Sequence, residues 1–503
     1  MKIAFFLDIP NGLGGAGNLL LQQAILMSEL HDVMVIIPTD NEGNYNIEYA
    51  NRCKKNKMEF LCLRYNTTFN FSSIDFTESM KNVKYIEEFA IREDIDFFHS
   101  VQLNITVEYL SRKLKIPHLM DIYQLNEEEF ILCQGDIYPH YHLCDSVLYS
   151  ERWKRKLGIE SRCIRPIGIV NKIQKKEYVR NKKIEILMLG SVCPRKNQMA
   201  AIKVIEQIIG LHDIELHIAG DLNNDYGYKC RQYVENQNLD KAVVFHGFVS
   251  EITSLLKQCD CLLCTSLDES FPSSIVEAVS YDLTIISTPV AGVPEIFVDR
   301  YNSFISKDFS LQSIYESVLE CLNFYRNGKI VDIHMNAEKT WERNFNRDTI
   351  RKEIDAFYHF IMSEKKFQSY QCFHKIENLI ERIKSLLSCL DDEGENWIHT
   401  RFFYYLSIKK YLCRGSIYIW GAGIRGKLTY EILRLICPKA RVLAFIDTYK
   451  CGEYLGLPII KIENADFVKS NFWCISFADN NDFAVQYLEN KGLQINRQVW
   501  HMP

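Results

Sequence analysis

Two glutamates eight residues apart carry the clearest chemical signal in this chain. Glu269 and Glu277 lie in the segment Asp268–Ala278, just after the apolar run Cys261–Cys264. The pattern predicts a strand, a tight loop and a helix that starts near Pro272, with one carboxylate in the loop and the other inside the helix. A helix N-terminus offers free backbone N–H groups to an anion, and carboxylates can accept hydrogen bonds from sugar hydroxyls. The combination suits a nucleotide-sugar, which has a diphosphate between two polyols.

Further motifs flank this pair. They are Leu189–Asn197, Ile218–Asp221 and Val244–Phe248 before it, and Pro289–Glu295 and Tyr301–Ile305 after it. In this order the motifs resemble the donor-binding half of the retaining glycosyltransferases of family four. That family has the GT-B fold, so the resemblance implies an α/β chain with two doubly wound, Rossmann-like domains that face a cleft. It covers about residues 1–365 and is clearest over 184–306.

The resemblance also implies roles for residues near the pair. Lys196 would neutralise the diphosphate of a nucleoside-diphosphate-sugar donor and Glu269 would face the donor sugar, so we take these two as the catalytic residues. Glu277 would bind the ribose hydroxyls. Relatives often place an arginine where this chain has Ser191, so the neighbouring Arg195 is expected to supply the second positive charge. The other expected donor contacts are Phe271, Pro272, Ser273, Ser274 and Ile275, mainly through their backbone.

A glycine-rich loop, Pro10–Gly17, follows the first predicted strand. Glycine lets the backbone approach a phosphate or a sugar closely, although a flexible turn is the simpler interpretation of such a loop. The resemblance favours Gly14 and Gly15 as donor contacts at the cleft. Asn18 is then expected to cap the following helix.

The acceptor side of the cleft has weaker signals. Family members commonly carry a histidine about six residues after the proline that precedes strand five, but here His118 comes too early and position 123 is a tyrosine. Asp121, Tyr123 and His99 are therefore the candidates for the acceptor side. A lone histidine such as His99 is more often a satisfied structural residue.

A second glycine motif lies near the C-terminus. Gly421, Gly423 and Gly426 follow an apolar strand and open a helix, and Asp447 ends the next strand about 20 residues later, as in a dinucleotide-binding fingerprint. The fingerprint makes an NAD-like ligand a candidate for this module. Residues 412–503 leave no room for a separate substrate domain, so we favour a binding or scaffolding module over a second enzyme.

Composition restricts the class of protein. The 503 residues are 47% apolar and 24% charged, which is typical of a globular chain with several domains. A net charge of −5 gives no reason to expect nucleic acid as a partner. The 17 cysteines follow no regular framework, and the first residues read as a strand rather than a signal peptide, so we expect free thiols in the cytoplasm. No apolar run approaches about 18 residues, so no membrane span is expected.

Two further clusters have alternative interpretations. Cys259, Cys261 and Cys264 could indicate a metal site, but no pair of histidines is nearby in the sequence, so we interpret them as small buried side chains and expect no metal. The run Arg152–Lys156 joins four cations to an aromatic residue. It is either a solvated helix face or a contact with an anionic membrane, which would place the protein at the inner face of the plasma membrane.

The order of predicted strands and helices divides the chain into five segments. Residues 347–363 have apolar side chains at helical spacing, and the resemblance makes them the helix that crosses back to the first domain. Predicted strands of the first domain include Ser146–Tyr149 and Cys163–Ile167. The segments are an acceptor domain (1–175), a donor domain (176–346), the crossing helix (347–365), a helical linker (366–411) that separates the last module from the cleft, and that module (412–503).

Together these observations predict a retaining, metal-independent glycosyltransferase that moves a sugar from a UDP- or GDP-linked donor to a hydroxyl acceptor. A bacterial surface glycan or its lipid-linked precursor is the expected acceptor, and no cofactor is expected for transfer. One alternative is a sugar oxidoreductase or epimerase that uses the C-terminal fingerprint, which a nicotinamide signal in the purified protein would favour. Another is a non-catalytic partner in glycan assembly, against which the glutamate pair and Lys196 argue.

Overall fold

A computed structural model of the chain provides the structure. It describes residues 1–8, 15–40, 42–63, 65, 85–102, 104–123, 141–170, 172–179, 182–249, 251–364, 382, 385–386, 415–468, 471–476, 481–493 and 498–501. Gly14 lies outside the described residues. So does the predicted linker 366–411, apart from residues 382, 385 and 386.

The described residues of the first domain form a seven-stranded parallel sheet in the order β3-β2-β1-β4-β5-β6-β7. The central strands are apolar and buried on both faces, as a parallel sheet between two helical layers requires. The strands are β1 (Lys2–Phe6), β2 (Asp32–Pro38), β3 (Glu59–Leu63), β4 (Phe97–Val101), β5 (His118–Asp121), β6 (Tyr141–Cys144) and β7 (Glu160–Cys163). The helices are α1 (Gly15–Met27), α2 (Ile47–Lys55), α3 (Ile105–Leu114) and α4 (Val147–Leu157), and residues 85–92 are also helical.

Three local predictions in this domain were wrong. The segment Ser146–Tyr149 is not a strand, because the Ser146 hydroxyl accepts the Tyr149 backbone N–H at 3.1 Å and starts helix α4. Strand β7 ends at Cys163, where the predicted strand Cys163–Ile167 begins. Asn18 does not cap α1, which already begins at Gly15; its side chain instead accepts a hydrogen bond from Arg52.

The described residues of the second domain form a six-stranded parallel sheet in the order β10-β9-β8-β11-β12-β13. Its first two strands have the predicted bounds, because each is an apolar run followed by glycine. The strands are β8 (Ile184–Leu189), β9 (Ile214–Ala219), β10 (Val243–Gly247), β11 (Cys261–Cys264), β12 (Thr284–Ser287) and β13 (Phe304–Ile305). The helices are α5 (Gln198–Ile208), α6 (Asp225–Asn236), α7 (Thr253–Gln258), α8 (Ser273–Ser280), α9 (Leu311–Asn327) and α10 (Ile330–Asn344).

Helix α11 (Arg347–Ser363) leaves the second domain and packs on the first. Its buried Ile354 lies in one hydrophobic cluster with Leu20 of α1. On its polar side, Asp355 lies 2.8 Å from the ring nitrogen Nε2 of His31. The helix therefore connects the second domain to the hydrophobic core of the first.

The C-terminal residues form a third α/β layer, with strand order β16-β17-β15-β14-β18-β19. The neighbouring strands are parallel except for the hairpin of β16 and β17. The strands are β14 (Ser416–Trp420), β15 (Arg441–Ile446), β16 (Gly452–Tyr454), β17 (Leu457–Ile460), β18 (Asn471–Ile475) and β19 (Val499–His501). The helices are α12 (Ile424–Ile436) and α13 (Asn481–Asn490), with a 3₁₀ turn at Ile462–Asn464.

The third sheet shares a hydrophobic cluster with the first domain. This cluster contains Phe6 and Ile36 from the first sheet and Ile417, Ile419 and Leu433 from the C-terminal layer. All five side chains are buried. The C-terminal module is therefore part of the folded body of the first domain, rather than a unit held apart from it by a linker.

Candidate active site

A glycine lies at the carboxyl end of each of three neighbouring strands in the second domain. Gly190 follows β8 with φ at +131°, a backbone conformation that side chains disfavour. Gly220 follows β9, and a Cβ there would overlap the carbonyl oxygen of Gly190. The Gly220 N–H donates to the oxygen of Gly247 at 2.8 Å. These contacts draw the three strand ends together at the edge where open α/β sheets bind ligands.

Lys196 is held over this edge by contacts between two loops. The Thr265 hydroxyl donates to the carbonyl oxygens of Lys196 at 3.0 Å and of Asn197 at 2.8 Å. A Cβ on Gly190 would lie 3.4 Å from Cε of Lys196, so the lysine chain runs directly over that glycine. Its Nζ ends 2.7 Å from Oε1 of Glu269. The two residues predicted to be catalytic are therefore in direct contact.

Arg195 points to the same carboxylate as Lys196. Its guanidinium forms an ion pair with Glu269 and donates to the carbonyl oxygen of Asp268 at 2.9 Å. Two cations therefore share the Glu269 carboxylate at the carboxyl edge of the sheet. An anion such as a diphosphate would be favoured there.

Helix α8 begins beside this charge cluster. Its N-cap is Pro272, which makes no side-chain capping hydrogen bond, so its first turn presents N–H groups. Glu277 is partly buried in the second turn; burial raises its pKa to about 7, while Lys196 acts in the opposite direction. The ring of Phe271 is buried, 5.7 Å from the guanidinium carbon of Arg165, so Phe271 itself can face a ligand only through its backbone.

The remaining predicted donor contacts lie around the start of α8 and the start of α1. Ser273 and Ser274 form the first turn of α8, and the Ile275 N–H is already bonded to the Pro272 carbonyl oxygen at 3.0 Å. Gly15 is the first residue of α1, and a Cβ there would meet no heavy atom within 4 Å. A larger side chain would therefore fit at position 15, and the packing of this structure does not require glycine there.

The three acceptor candidates are brought together in one hydrogen-bond network. The imidazole of His99 is fully buried, with Nε2 2.7 Å from Asp121 and Nδ1 2.6 Å from the Tyr358 hydroxyl of α11. Asp121 also accepts the Tyr123 hydroxyl at 2.8 Å. His99 therefore connects the crossing helix to the first sheet and has no ring nitrogen directed at the cleft. Tyr123 is the only one of the three that is partly exposed.

A second group of residues joins the two domains, and the sequence analysis had noted only one of them, Glu295, as the end of the motif Pro289–Glu295. Glu295 of the second domain accepts the backbone N–H groups of Val147 and Leu148, each at 2.9 Å, at the start of α4 in the first domain. The guanidinium of Arg165 lies 2.7 Å from the same carboxylate. Because a carboxylate at a helix N-terminus complements the helix dipole, Glu295 stabilises α4 across the domain boundary.

Beside Glu295, two shorter side chains complete this interdomain clasp, which we define as Asp145, Arg165, Ser270 and Glu295. The Ser270 hydroxyl donates to the buried carboxyl group of Asp145. Burial raises the pKa of Asp145 to about 7, although Ser270 and Arg165 oppose the shift. The loop that carries Glu269 is thus attached to the first domain through the next residue in the chain.

The glycine motif of the third layer makes packing contacts and hydrogen bonds inside the protein. A Cβ on Gly426 would overlap the carbonyl oxygen of Gly421, so glycine is required there for close packing of α12 on the sheet. Gly423 is the N-cap of α12. Asp447 accepts the N–H groups of Ala422, Tyr449 and Lys450, at 3.1, 2.9 and 2.9 Å. Burial raises the pKa of Asp447, but these backbone hydrogen bonds outweigh it and hold the pKa below its usual value.

The basic run Arg152–Lys156 lies on helix α4, and its cations and its aromatic residue occupy different environments. Trp153 is fully buried, with its ring 5.0 Å from that of His142, so the aromatic residue of the run does not lie at the surface with the cations. Arg152 and Arg155 are exposed. Among the described residues, no helix combines the length and the apolar character needed to cross a lipid bilayer.

Known proteins resemble this chain mainly over its second domain. Residues 170–329 match the family model for glycosyl transferases group 1. The phosphatidylinositol N-acetylglucosaminyltransferase GPI3 subunit of Saccharomyces cerevisiae is 28% identical over 148 residues, which are 29% of this chain and 32% of the yeast protein. The chain thus matches about a third of the length of these yeast relatives. The lipopolysaccharide 1,6-galactosyltransferase of Salmonella typhimurium is 23% identical over 385 residues, or 71% of this chain and 95% of that protein.

Solved structures extend the likeness to both domains. Anabaena Alr3699/HepE in complex with UDP and glucose superposes with a TM-score of 0.59 and 17% identity, covering 71% of this chain and 99% of that one. The lipopolysaccharide outer core galactosyltransferase WaaB gives a TM-score of 0.55 and 18% identity over the same shares of the two chains. At these identities the likeness establishes the fold. The two facing domains form the GT-B fold of glycosyltransferases, and the second domain matches the group 1 glycosyl transferase family.

Proposed function

We propose that this protein is a retaining glycosyltransferase that moves a sugar from a nucleoside-diphosphate-sugar to a hydroxyl group. The observation that carries the proposal is the convergence of Lys196, Glu269 and Glu277 on the uncapped start of α8. A positive charge, a helix N-terminus and two carboxylates match the diphosphate and the two polyols of such a donor. The family match over residues 170–329 covers all of these residues.

In the proposed reaction the bond between the anomeric carbon and the phosphate oxygen breaks, and its electron pair goes to the leaving nucleoside diphosphate. Lys196 and the first turn of α8 stabilise the negative charge that grows on that phosphate. Glu269, which pairs with Lys196 in this structure, exchanges that cation for the donor and accepts hydrogen bonds from the sugar. The acceptor oxygen then attacks from the face that the nucleotide leaves, and its proton passes to the leaving phosphate.

Glu277 is proposed to bind the ribose of the donor. Its carboxylate lies one helical turn beyond the N–H groups of α8, where a nucleoside would follow the diphosphate. We propose a UDP-sugar ahead of a GDP-sugar, because the similar Anabaena structures contain UDP or UDP-glucose. No metal or cofactor is proposed for the transfer, because Lys196, Arg195 and the helix dipole can supply the positive charge.

The acceptor is proposed to be a glycan or its lipid-linked precursor in a bacterial surface polysaccharide pathway. Supporting this, the relatives include enzymes named as lipopolysaccharide 1,6-galactosyltransferase and as UDP-Gal:alpha-D-GlcNAc-diphosphoundecaprenol alpha-1,3-galactosyltransferase. Work on such an acceptor would place the protein in the cytoplasm at the inner face of the plasma membrane. The exposed Arg152 and Arg155 would then meet anionic headgroups.

The test is release of free nucleotide from a panel of UDP- and GDP-linked sugars. We expect turnover with at least one donor, a product with the same anomeric configuration as the donor, and an unchanged initial rate in EDTA. Lys196→Ala should abolish most of the turnover, whereas Lys203→Ala, on helix α5 and over the ring of Tyr233, should not. Equal loss in both variants, or no nucleotide release from any donor by the full chain, would contradict the proposal.

A further inference from the structure

A cluster of potential metal ligands lies on the sheet of the second domain, between the amino end of β8 and the middle of β9. Ligand atoms of Glu185, His217 and Cys259 all lie within 4.8 Å of one another. They come from β8, from β9 and from the residue before Asp260 and β11, and these are three adjacent strands of the sheet. Glu185 and Glu215 are paired in register, and His217 follows Glu215 by two residues, so these side chains share one face of the sheet.

The histidine of this cluster has a free nitrogen inside it. His217 is 3% exposed, and its Nε2 has no hydrogen-bond partner among the described residues. The nearby Oε1 of Glu215 is 3.5 Å from Nε2, which is long for a hydrogen bond. A buried polar atom without a partner is costly, so an unfilled nitrogen that faces a carboxylate and a thiol requires an explanation.

The other ring nitrogen of His217 already has a hydrogen-bond partner. Nδ1 of His217 lies 3.0 Å from Nε2 of His246 on the edge strand β10. If Nδ1–H donates to His246, the lone pair of Nε2 points into the cluster. Metal-binding histidines are arranged in this way, because a hydrogen bond from the second nitrogen sets the tautomer and the ring orientation.

We propose that Glu185, His217 and Cys259 bind a Zn²⁺ ion, with His246 orienting His217. One sulfur, one imidazole nitrogen and one carboxylate oxygen form a mixed donor set that suits Zn²⁺, whereas Mg²⁺ and Ca²⁺ prefer oxygen alone. Binding forms a zinc–thiolate bond and releases the thiol proton of Cys259 to solvent. The fourth position is left to Oε1 of Glu215 or to a water molecule.

The position of this site indicates a structural role. Glu185 lies roughly 13 Å along β8 from Leu189, the last residue of the strand. His217 is paired with Leu187, roughly 7 Å from that end, so the cluster lies below the glycine edge where the donor is proposed to bind. The ion would join β8, β9 and the start of β11 below the donor site. The inference therefore does not depend on the proposed transfer reaction, and removal of zinc should lower the stability of the domain without removing a catalytic group.

The experiment uses the full chain purified in chelator and then titrated with Zn²⁺. We expect about one zinc per chain by elemental mass spectrometry, a higher melting temperature with zinc, and a cobalt–thiolate absorption band when Co²⁺ replaces Zn²⁺. Cys259→Ser should lose the cobalt–thiolate band and His217→Ala should lose stoichiometric binding. Cys230→Ser, which changes another buried cysteine of the same domain, should keep both.

A third variant keeps the test decisive if the ligand variants fold poorly. His246→Ala removes only the residue that orients His217, so the domain should fold and bind zinc roughly 10- to 100-fold more weakly. The proposal is overturned if the folded full chain takes up less than stoichiometric zinc at micromolar concentration, or if Cys259→Ser shows the unchanged cobalt spectrum. It is also overturned if His246→Ala binds zinc as tightly as the unaltered chain.

Discussion

Glu295→Gln should weaken the contact between the two domains. The carboxylate of Glu295 accepts two N–H groups at the start of α4 and pairs with Arg165 at 2.7 Å. A glutamine keeps only one acceptor oxygen. Its NH₂ group would face a backbone N–H group of α4 or the guanidinium of Arg165, and these are also donors. The variant therefore loses both charge and acceptors, while the size of the side chain stays the same.

The size of the effect follows from these contacts. A hydrogen bond to a charged group contributes about 1.5–3 kcal/mol, and an N-cap about 0.5–2 kcal/mol. The side chains of Arg165 and Glu295 are 13% and 19% exposed, so solvent reduces the ion pair only in part. Because the bonds share one carboxylate and are not additive, we expect a loss of about 2–4 kcal/mol from the closed arrangement. That is roughly a 30- to 1000-fold shift toward open domains.

Small-angle X-ray scattering measures this shift directly, as an increase in the radius of gyration. The donor turnover of the variant should fall in parallel, because opening of the domains moves the first domain away from the donor site. The matched control is Glu206→Gln, which alters a carboxylate that accepts the Tyr233 hydroxyl at 2.7 Å within the second domain. If Glu295→Gln kept the scattering profile and turnover of the unaltered chain, the assigned role of Glu295 would be refuted.

Four further outcomes are expected. Glu277→Ala should weaken donor binding by about ten- to a hundredfold in calorimetry, because the ribose hydroxyls lose a charged acceptor; unchanged affinity would remove this residue from the donor site. Lys196→Ala should lower kcat more than it raises KM, because charge on the leaving phosphate increases toward the transition state, and a change in KM alone would make the lysine a ground-state binder. Burial in the closed form raises the pKa of Asp145 to about 7. The closed form therefore binds the extra proton, so scattering should report closure that weakens as pH rises from 3.8, the usual pKa, to about 7, and Asp145→Asn should remove this dependence. A chain that ends at residue 364 should aggregate on size-exclusion chromatography, since it loses the C-terminal partners of the first domain's hydrophobic cluster; a monodisperse, active product would show that this shared packing is dispensable.

Local sequence signals predicted the second domain well. Strands β8 and β9 are apolar runs that end at glycines, helix α8 starts beside Pro272 as predicted, and α11 follows from apolar residues at helical spacing. These features depend on neighbours within a few residues along the chain, so the sequence alone is enough to predict them. The segment Ser146–Tyr149 failed because its apolar and aromatic residues suggest a strand, while the Ser146 cap and the preceding β6 decide for a helix.

The sequence by itself determined the α/β fold class and drew attention to Lys196, Glu269 and Glu277. Only the tertiary structure decided that Arg195 and Lys196 share the Glu269 carboxylate, and that His99 is buried against the crossing helix. Contacts of this kind join residues far apart in the chain, and the strand order decides which of them meet. The clearest cases are the clasp residues Asp145 and Glu295, and the proposed zinc ligands Glu185, His217 and Cys259. No repeating pattern in the sequence indicates these contacts, because the residues that meet belong to different strands, helices or loops.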